Sequence, residues 1–87
     1  MTIYESTNYT RSFKKLVKRN PDLRVAIDRK LKLLVTDRSY PGLRLHKIET
    51  SDETAWSISI DLKLRILFAY VEDGILLLDV GDHNEVY

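Results

Sequence analysis

The sequence predicts an α+β fold in which an N-terminal strand and a helical hairpin pack on a mainly antiparallel sheet, in the order β-α-α-β-β-β-β. Three observations carry it. Apolar residues recur at helical spacing as far as Thr36 and at strand spacing after Gly42, so the chain changes from one regular structure to the other near its middle. At 87 residues, 44% of them hydrophobic, the chain can support one sheet covered by one or two helices, a single domain over residues 1–87. The absence of cysteine removes disulfide scaffolds, thiol nucleophiles and Cys-containing zinc sites together.

Thr2-Ile3-Tyr4-Glu5 reads as a short strand. Ser6-Thr7-Asn8 offers side-chain oxygens for the orphan N–H groups of a first helical turn, which places a helix start near Tyr9. Within that helix Tyr9, Phe13, Leu16 and Val17 form one apolar stripe, opposite Arg11, Lys14, Lys15, Lys18 and Arg19. Asn20-Pro21 ends it and opens a second helix, because proline lacks the N–H an interior turn needs but is tolerated at the first helical position. Leu23, Ala26, Ile27, Leu31, Leu34 and Val35 then repeat at helical spacing to Thr36, and Lys30, on that stripe, reads as a stem reaching out to solvent.

Asp37 to Gly42 is turn-like, with Pro41-Gly42 suited to a type II turn and a positive φ at the glycine. Leu43 to Ile48 reads as a strand, and Glu49 to Thr54 as a polar loop. From Ala55, Trp56, Ile58, Ile60 and Leu62 alternate with Ser57, Ser59 and Asp61, the signature of a strand with one buried and one polar face. Leu64–Val71 and Ile75–Val80 are nearly continuous apolar runs, expected at the centre of the sheet. Glu72-Asp73-Gly74 between them carries a hairpin signal. Trp56, Phe68 and Tyr70 are read as core.

The formal net charge of +1 conceals an asymmetry. Residues 1–47 hold twelve Lys/Arg against four acids, and residues 48–87 hold two against nine, so a +8 half faces a −7 half. Neutrality alone argues against a nucleic-acid partner; the basic half restores one. Neither a membrane-spanning run nor a leader is visible, which gives the cytoplasm as the expected compartment and no membrane partner.

The strings Leu43-Arg44-Leu45-His46-Lys47-Ile48, Trp56-Ser57-Ile58-Ser59-Ile60, Leu64-Arg65-Ile66-Leu67-Phe68 and Asp79-Val80-Gly81-Asp82-His83-Asn84-Glu85-Val86-Tyr87 resemble, in order and spacing, the RelE/ParE toxin superfamily of bacterial type II toxin-antitoxin systems. The two histidines are similar to those of its YafQ-like branch. The resemblance spans the chain and implies a toxin that cuts mRNA on the ribosome without a metal or other cofactor, with a cognate antitoxin protein as partner. The superfamily also holds gyrase poisons that cut nothing, so the resemblance equally allows a non-catalytic binding module of the same fold.

Metal-independent RNA cleavage by the ribose 2′-hydroxyl needs a base for that hydroxyl, an acid for the leaving 5′-oxygen and cations for the phosphate. Histidine suits both proton transfers because its reference pKa of about 6.5 lies near working pH. The resemblance gives both roles to His46 and His83, makes Arg65 the holder of the scissile phosphate, and has Tyr87 assist by stacking or proton transfer. Arg65, the one cation in an apolar run, is alternatively the partner of Asp61, Asp79 or Asp82 in an ion pair. Lys47, Lys63 and Arg44 are further candidates for the substrate phosphates, and Arg11, Lys14, Lys15 and Lys18 for the RNA backbone. The chain departs from the family in having Ser57, Ser59 and Asp61 where RelE-like enzymes carry lysines. It also lacks a further histidine near Ser59 and an acid near Lys63. Two histidines with no cysteine and no local ligand spacing do not fill a tetrahedral metal site.

Overall fold

A computed structural model of the chain describes residues 1–49 and 54–82. The order is β1 (Thr2–Glu5), α1 (Thr7–Arg19), α2 (Asp22–Thr36), a 3-10 turn (Pro41–Leu43), β2 (His46–Glu49), β3 (Thr54–Ser59), β4 (Leu64–Val71) and β5 (Gly74–Asp82). The five strands form one sheet in the order β1-β5-β4-β3-β2, antiparallel throughout except that β1 runs parallel to β5.

α1 starts earlier than the stripe alone indicates. Ser6 is its N-cap, the Oγ accepting from the Tyr9 N–H at 3.0 Å, so the first turn is Thr7 to Tyr9. The same hydroxyl donates to the Leu78 carbonyl at 3.1 Å, and Asn8 Nδ2 donates there at 3.2 Å. These bonds close the edge of β5 beyond the point where the short β1 stops pairing with it. One side chain thus caps a helix and seals a strand. Ser6→Ala removes both bonds and is expected to lower stability by about 1–2 kcal/mol, read as a shift in the urea midpoint.

The helices bring Tyr9, Ile27 and Leu34 onto one face of the sheet, where they meet Ile58, Ile60, Ile66, Phe68, Ile75, Leu77 and Val80. Burial, and secondarily the Glu5 carboxylate, push the Tyr9 phenol far above its ordinary range, so it is a neutral member of this core. Phe68 is fully buried, and the Tyr70 ring meets it edge-on at 5.4 Å, with Trp56 edge-on to Tyr70 at the same distance. Tyr70 keeps part of its ring exposed, so the aromatic row runs from core to rim rather than lying wholly inside. Lys30 reaches out as expected, its Nζ donating to the Gly42 carbonyl at 3.2 Å.

Several local expectations are corrected. Pro41-Gly42-Leu43 is a 3-10 turn, not a type II turn leading into a strand, and Leu43 is fully buried. The left-handed residue is Arg44 (φ 49°, ψ 44°), while a Cβ at Gly42 would meet only the ring of the exposed Tyr40, which can give way. β2 therefore begins only at His46. Likewise neither Asp73 nor Gly74 has a positive φ; the strand after the hairpin turn begins at Gly74 itself, where a Cβ would overlap the Thr2 carbonyl of β1. Leu62 is 93% exposed in the β3–β4 turn, because β3 has ended by Ser59 and the alternation no longer fixes its direction. Ser57 and Ser59 are buried, so the polar face of β3 is not a solvated one.

Candidate functional site

Pairing register places the site. His46 lies opposite Ser57, and Ser59 lies opposite Arg65, which in turn faces Gly81. Directly opposed residues share a face, and Ser57 and Ser59 are two apart, so His46 and Arg65 stand on the same side of the sheet. That side is the one turned away from the helices, since Ile58 and Ile66, one position along, belong to the core beneath α1 and α2. From a strand spacing of roughly 4.8 Å and a rise of about 3.4 Å per residue, the two Cα atoms are about 12 Å apart.

Arg65 stands between two of the smallest residues, Ser59 on β3 and Gly81 on β5. Its Nη1 is shut off from solvent and has no hydrogen-bond partner among the described residues. The expected alternative of a structural ion pair is not formed: no carboxylate of a described residue lies within ion-pair reach of the guanidinium. Asp61 instead accepts from the Lys63 and Leu64 N–H groups at 2.8 and 2.7 Å and holds the β3–β4 turn. Asp79 accepts from Ser12 Oγ at 2.7 Å and from the Val80 N–H at 2.8 Å. Ser59 Oγ donates to the Asp61 carbonyl at 2.7 Å, so it too is engaged with the β3–β4 turn rather than with Arg65. A desolvated guanidinium N–H left unmatched costs about 1–3 kcal/mol or more, and groups left in that state in folded proteins call for an explanation. A niche walled by serine and glycine leaves room beside the guanidinium, whose planar fork has the shape to receive an oxyanion.

His46 is exposed at the start of the edge strand β2, and its Nδ1 lies 3.1 Å from the Arg44 carbonyl oxygen. A carbonyl only accepts, so Nδ1 carries a proton and, in the neutral ring, the lone pair sits on Nε2. The contact exists because Arg44 is left-handed, a conformation that costs a non-glycine residue roughly 1–2 kcal/mol. Among the described residues no other non-glycine residue has a positive φ. No sequence signal marks Arg44 for it.

The remaining candidates divide. Lys63 is exposed in the β3–β4 turn, two residues before Arg65 and at the same end of the sheet. Arg44 is exposed next to β2. Lys47 pairs with Trp56, so strand alternation sends it to the opposite face from His46. Arg11, Lys14, Lys15 and Lys18 are all exposed on α1, in the helical layer across the sheet from His46 and Arg65. Of these, Lys15 lines a cleft with Ser12, Leu16, Arg19 and Val80 beside the C-terminal half of β5. His83 and Tyr87 lie outside the described residues; β5 carries the chain to Asp82, directly opposite Leu64 and one position beyond the Arg65–Gly81 pair. Among the described residues no cluster of His, Asp and Glu is arranged to hold a metal ion, and no helix is long and apolar enough to cross a membrane.

No protein-family model matches the sequence, and a search of curated proteins finds no relative. Solved structures do match. A metal-bound toxin from Helicobacter pylori superposes with a TM-score of 0.84 at 20% identity, over 100% of this chain and 99% of that one. YafQ in the Escherichia coli DinJ-YafQ complex gives 0.81 at 15% identity, over 99% and 97%. The YoeB dimer from Staphylococcus aureus gives 0.76 at 15% identity, over 95% and 97%. The family resemblance read from the sequence thus holds at the level of the fold: two helices on a five-stranded mixed sheet, built as the RelE/YafQ toxins are built.

Proposed function

We propose that the chain is the toxin of a type II toxin-antitoxin pair and an endoribonuclease that cuts mRNA on the ribosome. The observation that carries this reading is the unmatched, buried Nη1 of Arg65 on the helix-free face that it shares with His46. In the reaction the guanidinium receives the non-bridging oxygens of the scissile phosphate and stabilises the charge that grows there. The ribose 2′-hydroxyl attacks that phosphorus; one imidazole takes the hydroxyl proton and the other protonates the departing 5′-oxygen, leaving a 2′,3′-cyclic phosphate. His46 and His83 are the pair, with Lys63 and Arg44 adding positive potential and Tyr87 assisting. Lys47 enters only where RNA passes around the free edge of β2. The basic face of α1 supplies salt-sensitive contacts to ribosomal RNA. The partner that restrains the activity is an antitoxin protein, and the likeness to YafQ in the DinJ-YafQ complex supports that reading.

A second reading has its own support. The buried Ser57 and Ser59 leave the phosphate with a single strand-borne cation, which suits a module that binds a protein target, gyrase among them, without cutting RNA. One experiment separates the two. Purified protein added to translating ribosomes is expected to produce mRNA fragments ending in 2′,3′-cyclic phosphate, at least a hundredfold more slowly with His46→Ala or His83→Ala. Intact mRNA together with gyrase-dependent DNA breaks would install the second reading in place of the first.

A further inference from the structure

We infer that Arg44 serves the site through its backbone, as a positioning residue that sets which nitrogen of His46 works. The inference rests on His46 being a catalytic imidazole, and the spectroscopic arm of its test does not. Four observations converge on the 40–46 segment. Leu43 is fully buried and pins the 3-10 turn to the core. Lys30 of α2 donates to the Gly42 carbonyl at 3.2 Å and ties the same turn to the second helix. The Arg44 N–H closes the turn on the Pro41 carbonyl at 3.1 Å, and the left-handed backbone that follows swings the Arg44 carbonyl onto His46 Nδ1 at 3.1 Å.

The chemistry follows from the direction of that bond. A neutral imidazole has one N–H, and the hydrogen bond made at one nitrogen decides which nitrogen keeps the lone pair. Here the carbonyl claims the proton at Nδ1, so Nε2 is the nitrogen that accepts or delivers a proton at the substrate. Fixing the tautomer and the ring together places a proton-transfer group before the substrate arrives. Arginine is a poor residue for the left-handed region, where glycine or asparagine is at ease, so the conformation is held by the anchored turn on one side and strand pairing on the other.

The test separates backbone from guanidinium. Arg44→Gly and Arg44→Val remove the same charge, but glycine keeps the left-handed conformation and valine resists it. Nitrogen-15 spectra of labelled protein, recorded where imidazoles are neutral and assigned with His46→Gln, are expected to show His46 as the Nδ1–H tautomer in the wild type and in Arg44→Gly. In Arg44→Val the ring is expected to move toward the Nε2–H form, and on ribosome-bound mRNA the glycine variant should cut about a hundredfold faster than the valine variant. An unchanged Nδ1–H tautomer in Arg44→Val, or an Nε2–H tautomer in the wild type, overturns the inference. So does equal loss of cleavage in both variants, which would make the guanidinium the working part. Should Arg44→Val fail to fold, Arg44→Ala makes the same comparison with less steric demand. A protein that cuts no RNA at all but shows the expected tautomers refutes the enzymatic reading and leaves the positioning by Arg44 standing.

Discussion

Arg65→Ala is expected to abolish RNA cleavage, by two to three orders of magnitude, while leaving the protein as stable as before or more so. The two effects have opposite signs because, on the proposed reading, the guanidinium serves a substrate phosphate, and among the described residues nothing matches its Nη1. An arginine in a structural ion pair behaves otherwise: truncating it strands a carboxylate, and stability falls by about 3–5 kcal/mol. Here no carboxylate of a described residue is in reach, and what disappears is an unmatched buried donor. Urea unfolding and single-turnover cleavage of ribosome-bound mRNA, measured on the same preparation, decide between these outcomes. Inorganic phosphate should raise the melting temperature of the wild type more than that of the variant, by mass action on an oxyanion site. Arg65→Lys is expected to restore little, because an ammonium cannot place two parallel N–H groups on a phosphate. A variant that loses stability in step with activity would return Arg65 to a purely structural role.

Gly74→Val is expected to cost about 3 kcal/mol, a large share of the roughly 5–15 kcal/mol that holds a small domain together. Gly74 opens β5 in register with Thr2, and the Thr2 N–H donates to the Asp73 carbonyl at 3.1 Å. Any Cβ at position 74 displaces the Thr2 carbonyl, so the substitution pushes β1 off the sheet rather than opening a void. The urea midpoint reports the cost. Amide exchange reports its place: protection should vanish at Ile3 to Glu5 while the amides of β3 and β4 keep theirs. Uniform loss of protection would mean that β1 is part of the cooperative core instead of a strand docked on it.

What could be read from the residues, and what could not, divides along physical lines. The helices and β4 were legible because each repeats a pattern over many residues: the stripe from Tyr9 to Val17, the stripe from Leu23 to Val35, the run from Leu64 to Val71. Arg65 stood out for the same reason, as one cation breaking an apolar run. Its lack of a partner did not, since only packing tells which of Asp61, Asp79 and Asp82 is already engaged. Alternation showed that Ser57 and Ser59 share a face of β3; whether a face is covered is a property of the assembled sheet, and there it proved buried. The carbonyl that orients His46 was least legible of all. Pro41-Gly42 drew attention to the glycine, whereas the left-handed residue is an arginine two positions on, held there by Leu43 and Lys30 from elsewhere in the fold.

The parallel pairing of β1 with β5 also bears on the order in which the molecule can be made. Ser6 and the Leu78 carbonyl that it seals are 72 positions apart, so β1 has nothing to lie against until β5 exists. Local pairings such as β3 with β4 and β4 with β5 close short loops, while this one joins segments far apart in the chain and closes a long one. The same late strand carries Gly81, the wall of the Arg65 niche. A chain in which β5 is not yet in place therefore lacks both the neighbour of β1 and one wall of the Arg65 niche.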